Sequence, residues 1–333
     1  MAPFHDALKV TYHRTIHTER DDVHVYSGVI DSEWVPNGGY VLGLILQACI
    51  QRQAGMAHRD PIHITAHFLR TTSIQPFEVH IRQFREGKTF TNLGAELLQD
   101  NITRVSTHQM FGVLSPTTSS GSLLTITPPS TYARRLPLYQ HPSNAPLTSL
   151  RTPYQFASRL KATREPEIVA KNALDGSNRT SETSIGGPGL EWGQWLTFKH
   201  EQDTLTPPSI AFLADMFRSP PSLLPKSERL GLPSVAWFPT LIMTLEFKFP
   251  IPPQSSQRTA GLYTNCRFIN DPAGRHDVYV EVWSAPCNVG EGKKEHGWRE
   301  KQVCIAVSTQ TAVIVPMQNN TAKAKEGDRG PKL

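Results

Sequence analysis

The feature that most limits what this chain can fold into is an internal repeat: an apolar helix followed by four strands, read twice in the same order. In the first half, Tyr40–Gln53 carries Val41, Leu42, Leu44, Ile45, Ala48 and Cys49 at helical spacing. The apolar face is wide enough to wrap nearly the whole helix, which predicts burial. The segments Ile62–Leu69, Phe77–Phe84, Thr89–Leu98 and Thr103–Leu114 then read as strands, with Gly87 and Asp100-Asn101 as turns. An earlier strand is predicted over Val23–Ile30, and Pro36-Asn37-Gly38-Gly39 breaks the chain ahead of the helix. In the second half, Leu190–Lys199 reads as a strand and Pro208–Met216 as a short helix opened by prolines. Trp237–Pro250, Thr259–Ile269, Asp277–Ser284 and Gln302–Val315 read as four further strands.

Local matches support duplication. Ile64–Arg70 followed by Pro76 parallels Met243–Phe249 followed by Pro250. Val105–Thr107 and Val307–Thr309 share a Val-Ser-Thr run, each followed closely by a glutamine, Gln109 and Gln310. A helix wrapped by an antiparallel sheet, made twice, is an α+β architecture in which the two units pair sheet to sheet. The domain reading places a first unit over 1–115, a Ser/Pro-rich linker over 116–180, a second unit over 181–318 and a tail over 319–333. Ala285–Lys301 reads as a polar inserted loop.

Composition narrows the function. Thirty-four Lys and Arg against 29 Asp and Glu give a net charge of +5. This mild excess suits an anionic small molecule and lacks the focused basic element that nucleic acid needs. No apolar run is long enough for a membrane span, and the N-terminus lacks a secretory pattern. The chain is therefore expected inside the cell, with its four cysteines (Cys49, Cys266, Cys287, Cys304) as free thiols, two or three of them buried. The N-x-[ST] patterns at Asn101, Asn178 and Asn319 then carry little meaning.

Several constellations are weak. His63 and His67 share a face but have no third ligand at metal spacing, so no metal is expected. His13 and His17 read as solvated residues preceding the fold. Asn37-Gly38-Gly39 lacks the rest of a phosphate loop and reads as a helix start. There is no G-x-S-x-G nucleophile elbow.

Asn37-Gly38-Gly39-Tyr40, His67-Phe68-Leu69-Arg70, Arg85-Glu86-Gly87-Lys88-Thr89-Phe90 and Gln99-Asp100-Asn101, in this order and spacing, resemble the double-hotdog acyl-CoA thioesterases of the thioesterase II type and their fungal relatives. The resemblance runs from about Val23 to Pro316 and fades over the Ser/Pro-rich middle. It implies a double hotdog fold and a catalytic trio of aspartate, Ser/Thr hydroxyl and glutamine. Phe212-Leu213-Ala214-Asp215 would supply the aspartate, Pro239-Thr240 the hydroxyl and Ser308-Thr309-Gln310 the glutamine. Thr244 competes for the hydroxyl role if the register slips. The longer middle and the Ala285–Lys301 insertion depart from the bacterial members.

The chemistry implied is water attack on an acyl-CoA thioester. Asp215 acts as base or orienter, Thr240 and Gln310 fix the water, and no cofactor takes part beyond the CoA of the substrate. Taken singly, each of the three is an ordinary capping or strand residue; as an ordered set they point to function. A hotdog enzyme acting on carrier-bound acyl chains in biosynthesis, and a non-catalytic acyl-CoA binding protein, are the competing readings. Homo-oligomers are left open by the exposed sheets. The ending Pro331-Lys332-Leu333 resembles the Ser-Lys-Leu peroxisomal address, which leaves cytosol and peroxisome as the expected locations.

Overall fold

The structure is a computed structural model, and it describes residues 3–19, 21–34, 37–114, 126–128, 130–150, 155–172, 189–224 and 236–316. The first half comprises α1 (Phe4–Ala7), β1 (Thr11–His17), β2 (Asp22–Val29), α2 (Gly38–Gln53), β3 (Asp60–Phe68), β4 (Pro76–Glu86), β5 (Thr91–Gln99) and β6 (Ile102–Gly112). The second half opens with β7 (Leu147–Thr148), β8 (Leu160–Thr163), α3 (Pro166–Lys171), β9 (Leu190–Phe198) and α4 (Pro207–Ala214). It continues with β10 (Ala236–Trp237), β11 (Thr240–Phe247), β12 (Thr259–Cys266), β13 (Ile269–Asn270), β14 (Arg275–Trp283), β15 (Cys304–Ala312) and β16 (Val315–Pro316).

One antiparallel sheet runs β1-β2-β4-β5-β6-β3-β11-β15-β14-β12-β9-β8-β7, with β13 added beside β14. The order reads alike outward from the β3–β11 pair in both directions, as a duplicated unit joined edge to edge requires. Thr65 and Thr244 face each other at that seam. Ile64 pairs with Gln109 on β6 while Met243 pairs with Gln310 on β15, so the two glutamines are equivalent. The two Val-Ser-Thr runs are not: with the glutamines superposed, Val105 corresponds to Ala306, one residue out of phase. In a strand that slip puts every side chain on the other face; the glutamine match is structural and the tripeptide match coincidental.

The sheet curls around α2 and α4. Among the residues of α2 only Gln51 is exposed, because apolar side chains all round the helix find partners in the sheet on one side and in α4 on the other. Gly39 and Gly43 let α4 come close. A methyl group built on Gly39 would lie 2.9 Å from Phe212 Cα, and one on Gly43 2.9 Å from the Pro208 carbonyl oxygen. These two contacts exchange under the same pseudo-twofold that relates the sheets.

The N-terminal residues differ from the sequence reading. Phe4 is 2% exposed and sits among Trp34, Phe198 and Phe212. His13 and His17 lie in β1, an edge strand paired with β2, although both stay exposed. Within the stretch read as linker, β8 pairs with β9, and Phe156, Leu160 and Ala162 join the main core. A second apolar cluster covers the opposite face of the second half, since Trp195 belongs to it while Leu196 faces the main core. It unites Leu136 and Leu138 with Val289 and Trp298, so the Ala285–Lys301 insertion is an anchored cover rather than a free polar loop. All four cysteines are free; Cys49 and Cys266 are buried. Asn178, Asn319 and the Pro331-Lys332-Leu333 ending lie outside the described residues, and no described helix is long and apolar enough to cross a membrane.

Candidate active site

The close approach of α4 to α2 places the residue that ends α4, Asp215, against the first turn of α2. A carboxylate oxygen of Asp215 accepts the Gly39 N–H at 2.9 Å, and the Gly38 N–H and the Gln310 amide lie close enough to favour the ionised carboxylate. A helix N-terminus offers unpaired N–H groups and a positive dipole end. Even so, burial is the larger influence: it raises the Asp215 pKa to about 6, with the three donors opposing it.

Gln310 is 3% exposed. Its amide nitrogen donates to the Ala214 carbonyl at 3.1 Å, and its amide oxygen accepts from the Thr240 hydroxyl at 3.3 Å. Thr240 reaches this face through a bulge. Thr240 pairs with Ala312 but Ile242 with Thr311, leaving Leu241 as the extra residue in β11. Without it, alternation from the inward Met243 would turn Leu241 inward and Thr240 outward. Thr244 lies on the outer face, its hydroxyl 2.5 Å from that of Thr309. The three residues singled out from sequence, Asp215, Thr240 and Gln310, thus meet at one place, with Thr240 bonded to Gln310 and Gln310 beside Asp215, and Thr244 lies away from them.

Asp215 and Thr240 open onto a cavity of about 1140 Å³. One part of its wall is apolar, including Val41, Phe68, Met216, Trp237, Phe238 and Val278. The wall also carries Arg70, Arg104, Arg164 and Arg218; Asp215 is the one acidic lining residue among those described. Arg218 lies over the Trp192 ring, 5.7 Å from its centroid. The sequence reading did not single out these arginines, although Arg70 ends the His67-Phe68-Leu69-Arg70 motif. His63 and His67 alternate with the buried Ile64 and Ala66 and so face away from this cavity. No cluster of three or more metal-ligating side chains occurs among the described residues.

The fold and this cavity define a double hotdog protein with a polar trio beside an apolar cleft. The N-terminal domain model of the acyl-CoA thioesterases matches residues 29–112, and the C-terminal domain model matches residues 152–286. Together they account for about two-thirds of the chain, and the chain belongs to this family of thioester hydrolases.

Solved structures agree on the fold. An acyl-CoA thioesterase II from Mycobacterium marinum is 13% identical with a TM-score of 0.61, covering 94% of this chain and 98% of that one. A conserved protein of unknown function with a hot dog fold from Alicyclobacillus acidocaldarius is 16% identical with a TM-score of 0.62, covering 94% and 97%. Among curated proteins, the ustilagic acid biosynthesis cluster protein orf2 of Mycosarcoma maydis is 34% identical over 94 residues. That stretch is 26% of this chain and 24% of the relative, so the match spans about a quarter of that protein's length.

Proposed function

We propose that this chain hydrolyses acyl-CoA thioesters by direct attack of water held at Asp215, Gln310 and Thr240. The observation that carries this reading is the convergence of Asp215 and Thr240 on the wall of one cavity, with Gln310 bonded to Thr240 behind them and Asp215 seated on the α2 N-terminus. A thioester carbonyl is electrophilic enough for a placed water, and no side-chain nucleophile or cofactor is required. With a pKa near 6, Asp215 is ionised at neutral pH yet basic enough to take a proton from the water. Gln310 and Thr240 offer donor and acceptor groups that fix the water's orientation. The acyl chain would lie along Val41, Phe68, Phe238 and Val278. The anionic part of the thiol would lie toward Arg70, Arg104, Arg164 and Arg218, which suit phosphate groups.

The test is a thiol-release assay over acyl-CoAs of graded length with wild type and Asp215→Ala. Turnover that falls by orders of magnitude in a folded variant supports the reading; no wild-type turnover on any CoA ester overturns it. A second reading, release of carrier-bound acyl chains in a biosynthetic pathway, draws support from the local similarity to a biosynthesis cluster protein. The same assay on an acylated carrier protein separates the two.

A further inference from the structure

A water-attack mechanism builds negative charge on the thioester oxygen, and that charge needs a hydrogen-bond donor. Several of the donors around Asp215 are engaged. The Gly39 N–H goes to the Asp215 carboxylate. The Gln310 amide serves Ala214, the Thr240 hydroxyl serves Gln310, and the Gln194 amide serves the Met216 carbonyl. The first turn of α2 is therefore turned toward a protein carboxylate.

Asn37 holds a side-chain donor whose acceptor is weak. It caps α2, its Oδ1 accepting the Tyr40 N–H at 2.9 Å. That bond fixes which end of the amide is oxygen and leaves the NH2 to Met216, which lines the same cavity as Asn37 and Asp215. The side chain is 6% exposed, and the acceptor recorded for Nδ2 is the Met216 thioether, 3.6 Å away. A thioether is a weak acceptor on a flexible stem. A buried amide N–H resting on sulfur is a donor held for a stronger acceptor.

We propose that Asn37 Nδ2 donates to the thioester carbonyl oxygen and stabilises the oxyanion as water adds, displacing Met216 when substrate binds. This rests on the hydrolase reading above. The bond changes balance simply: water adds to the carbonyl carbon and gives a proton to Asp215. Collapse of the tetrahedral species breaks the C–S bond, and the thiolate leaves with that proton.

Asn37 also holds the helix cap, so the variants must separate the two roles. Asn37→Ser keeps an oxygen that can cap Tyr40 N–H but has no NH2; Asn37→Ala lacks both. The inference expects kcat to fall about 10²- to 10³-fold in both variants with KM little changed. Asn37→Ser should retain the wild-type melting temperature. Two unreactive CoA analogues give a readout independent of turnover. The dethia ketone keeps the carbonyl with CH2 in place of sulfur; the S-alkyl thioether lacks the carbonyl. Calorimetric affinity for the ketone should drop about three- to tenfold in Asn37→Ser while that for the thioether is unchanged. Wild-type kcat in Asn37→Ser, or equal losses for the two analogues, overturns the assignment. Absence of wild-type turnover would instead overturn the hydrolase reading, and the analogue ratio would still decide whether Asn37 touches the carbonyl.

Discussion

Replacing Asp215 by Asn should make the protein more stable at alkaline pH while abolishing its activity. Burial raises the Asp215 carboxyl from an ordinary 3.8 to about 6, so the folded state binds its proton more tightly than the unfolded chain does. Above pH 6 the fold therefore carries the cost of an ionised carboxylate. That cost shrinks as pH falls from 6 toward 3.8 and is gone below 3.8, where both states are protonated. At roughly 1.4 kcal/mol per tenfold change in proton affinity, the full cost is on the order of 3 kcal/mol. The carboxylate keeps some access to the cavity, so about 1–2 kcal/mol is the better expectation. Asparagine retains an acceptor for the Gly39 N–H and removes the charge. The assay is thermal unfolding of wild type and Asp215→Asn at pH 8, 6 and 4. The variant should melt about 2–6 °C higher at pH 8, with the difference vanishing near pH 4, while turnover falls at least about 10²-fold. A variant less stable than wild type at pH 8, or a gain that does not depend on pH, would refute the reasoning.

Other consequences follow from the same geometry. The log kcat/KM of the wild type should fall with unit slope below a midpoint near pH 6, as Asp215 takes up its proton; a flat profile down to pH 5 would remove Asp215 as the base. Thr240→Val, near in volume but without the hydroxyl that holds Gln310 Oε1, should lower kcat about tenfold or more with little change in melting temperature, read by steady-state kinetics and thermal unfolding. Gly39→Ala would set a methyl 2.8 Å from Asp215 Cβ and 2.9 Å from Phe212 Cα; a loss of about 1–3 kcal/mol in denaturant unfolding is expected, together with activity. Arg70→Ala combined with Arg218→Ala should raise KM for an acyl-CoA several-fold and leave an acyl-pantetheine, which lacks the phosphates, unchanged; equal effects on both would take the arginines out of phosphate binding.

The parts of this fold that were legible from sequence are those where one local pattern decides. α2 announces itself through unbroken helical spacing, and the glutamines on β6 and β15 mark the repeat. What escaped depends on contacts between distant segments. Phe4 is core because Trp34, Phe198 and Phe212 surround it, and nothing in Pro3-Phe4-His5-Asp6 says so. Residues 155–172 lie in a Pro-rich stretch whose strand and 3₁₀ turn are too short to show a period. The Leu241 bulge is invisible in sequence, which is why Thr244 competes with Thr240 until the register with β15 is known. Asn37 reads as a helix start in sequence; only the side-chain geometry shows its NH2 resting on Met216.

The pseudo-twofold explains why a duplicated fold carries one such trio. Counted from the helix caps Asn37 and Thr206, Asp215 corresponds to Leu46. Gly38 and Gly39, whose N–H groups hold the carboxylate, correspond to Pro207 and Pro208. Across the seam Thr240 corresponds to Pro61, since Thr240 pairs with Ala312 as Pro61 pairs with Phe111. Of the arrangement, Gln109 alone survives in the other unit, and there its amide donates to Thr107 at 3.0 Å. The replacements are coherent chemically. Proline has no N–H to offer an anion, so a carboxylate at position 46 would be buried without its main donors, and leucine fills the space at no such cost. The same prolines open α4 at its first turn, where a missing N–H is tolerated, and so help end β9's return into the helix that delivers Asp215. One unit lacks these polar groups and supplies the support on which the other unit's site stands.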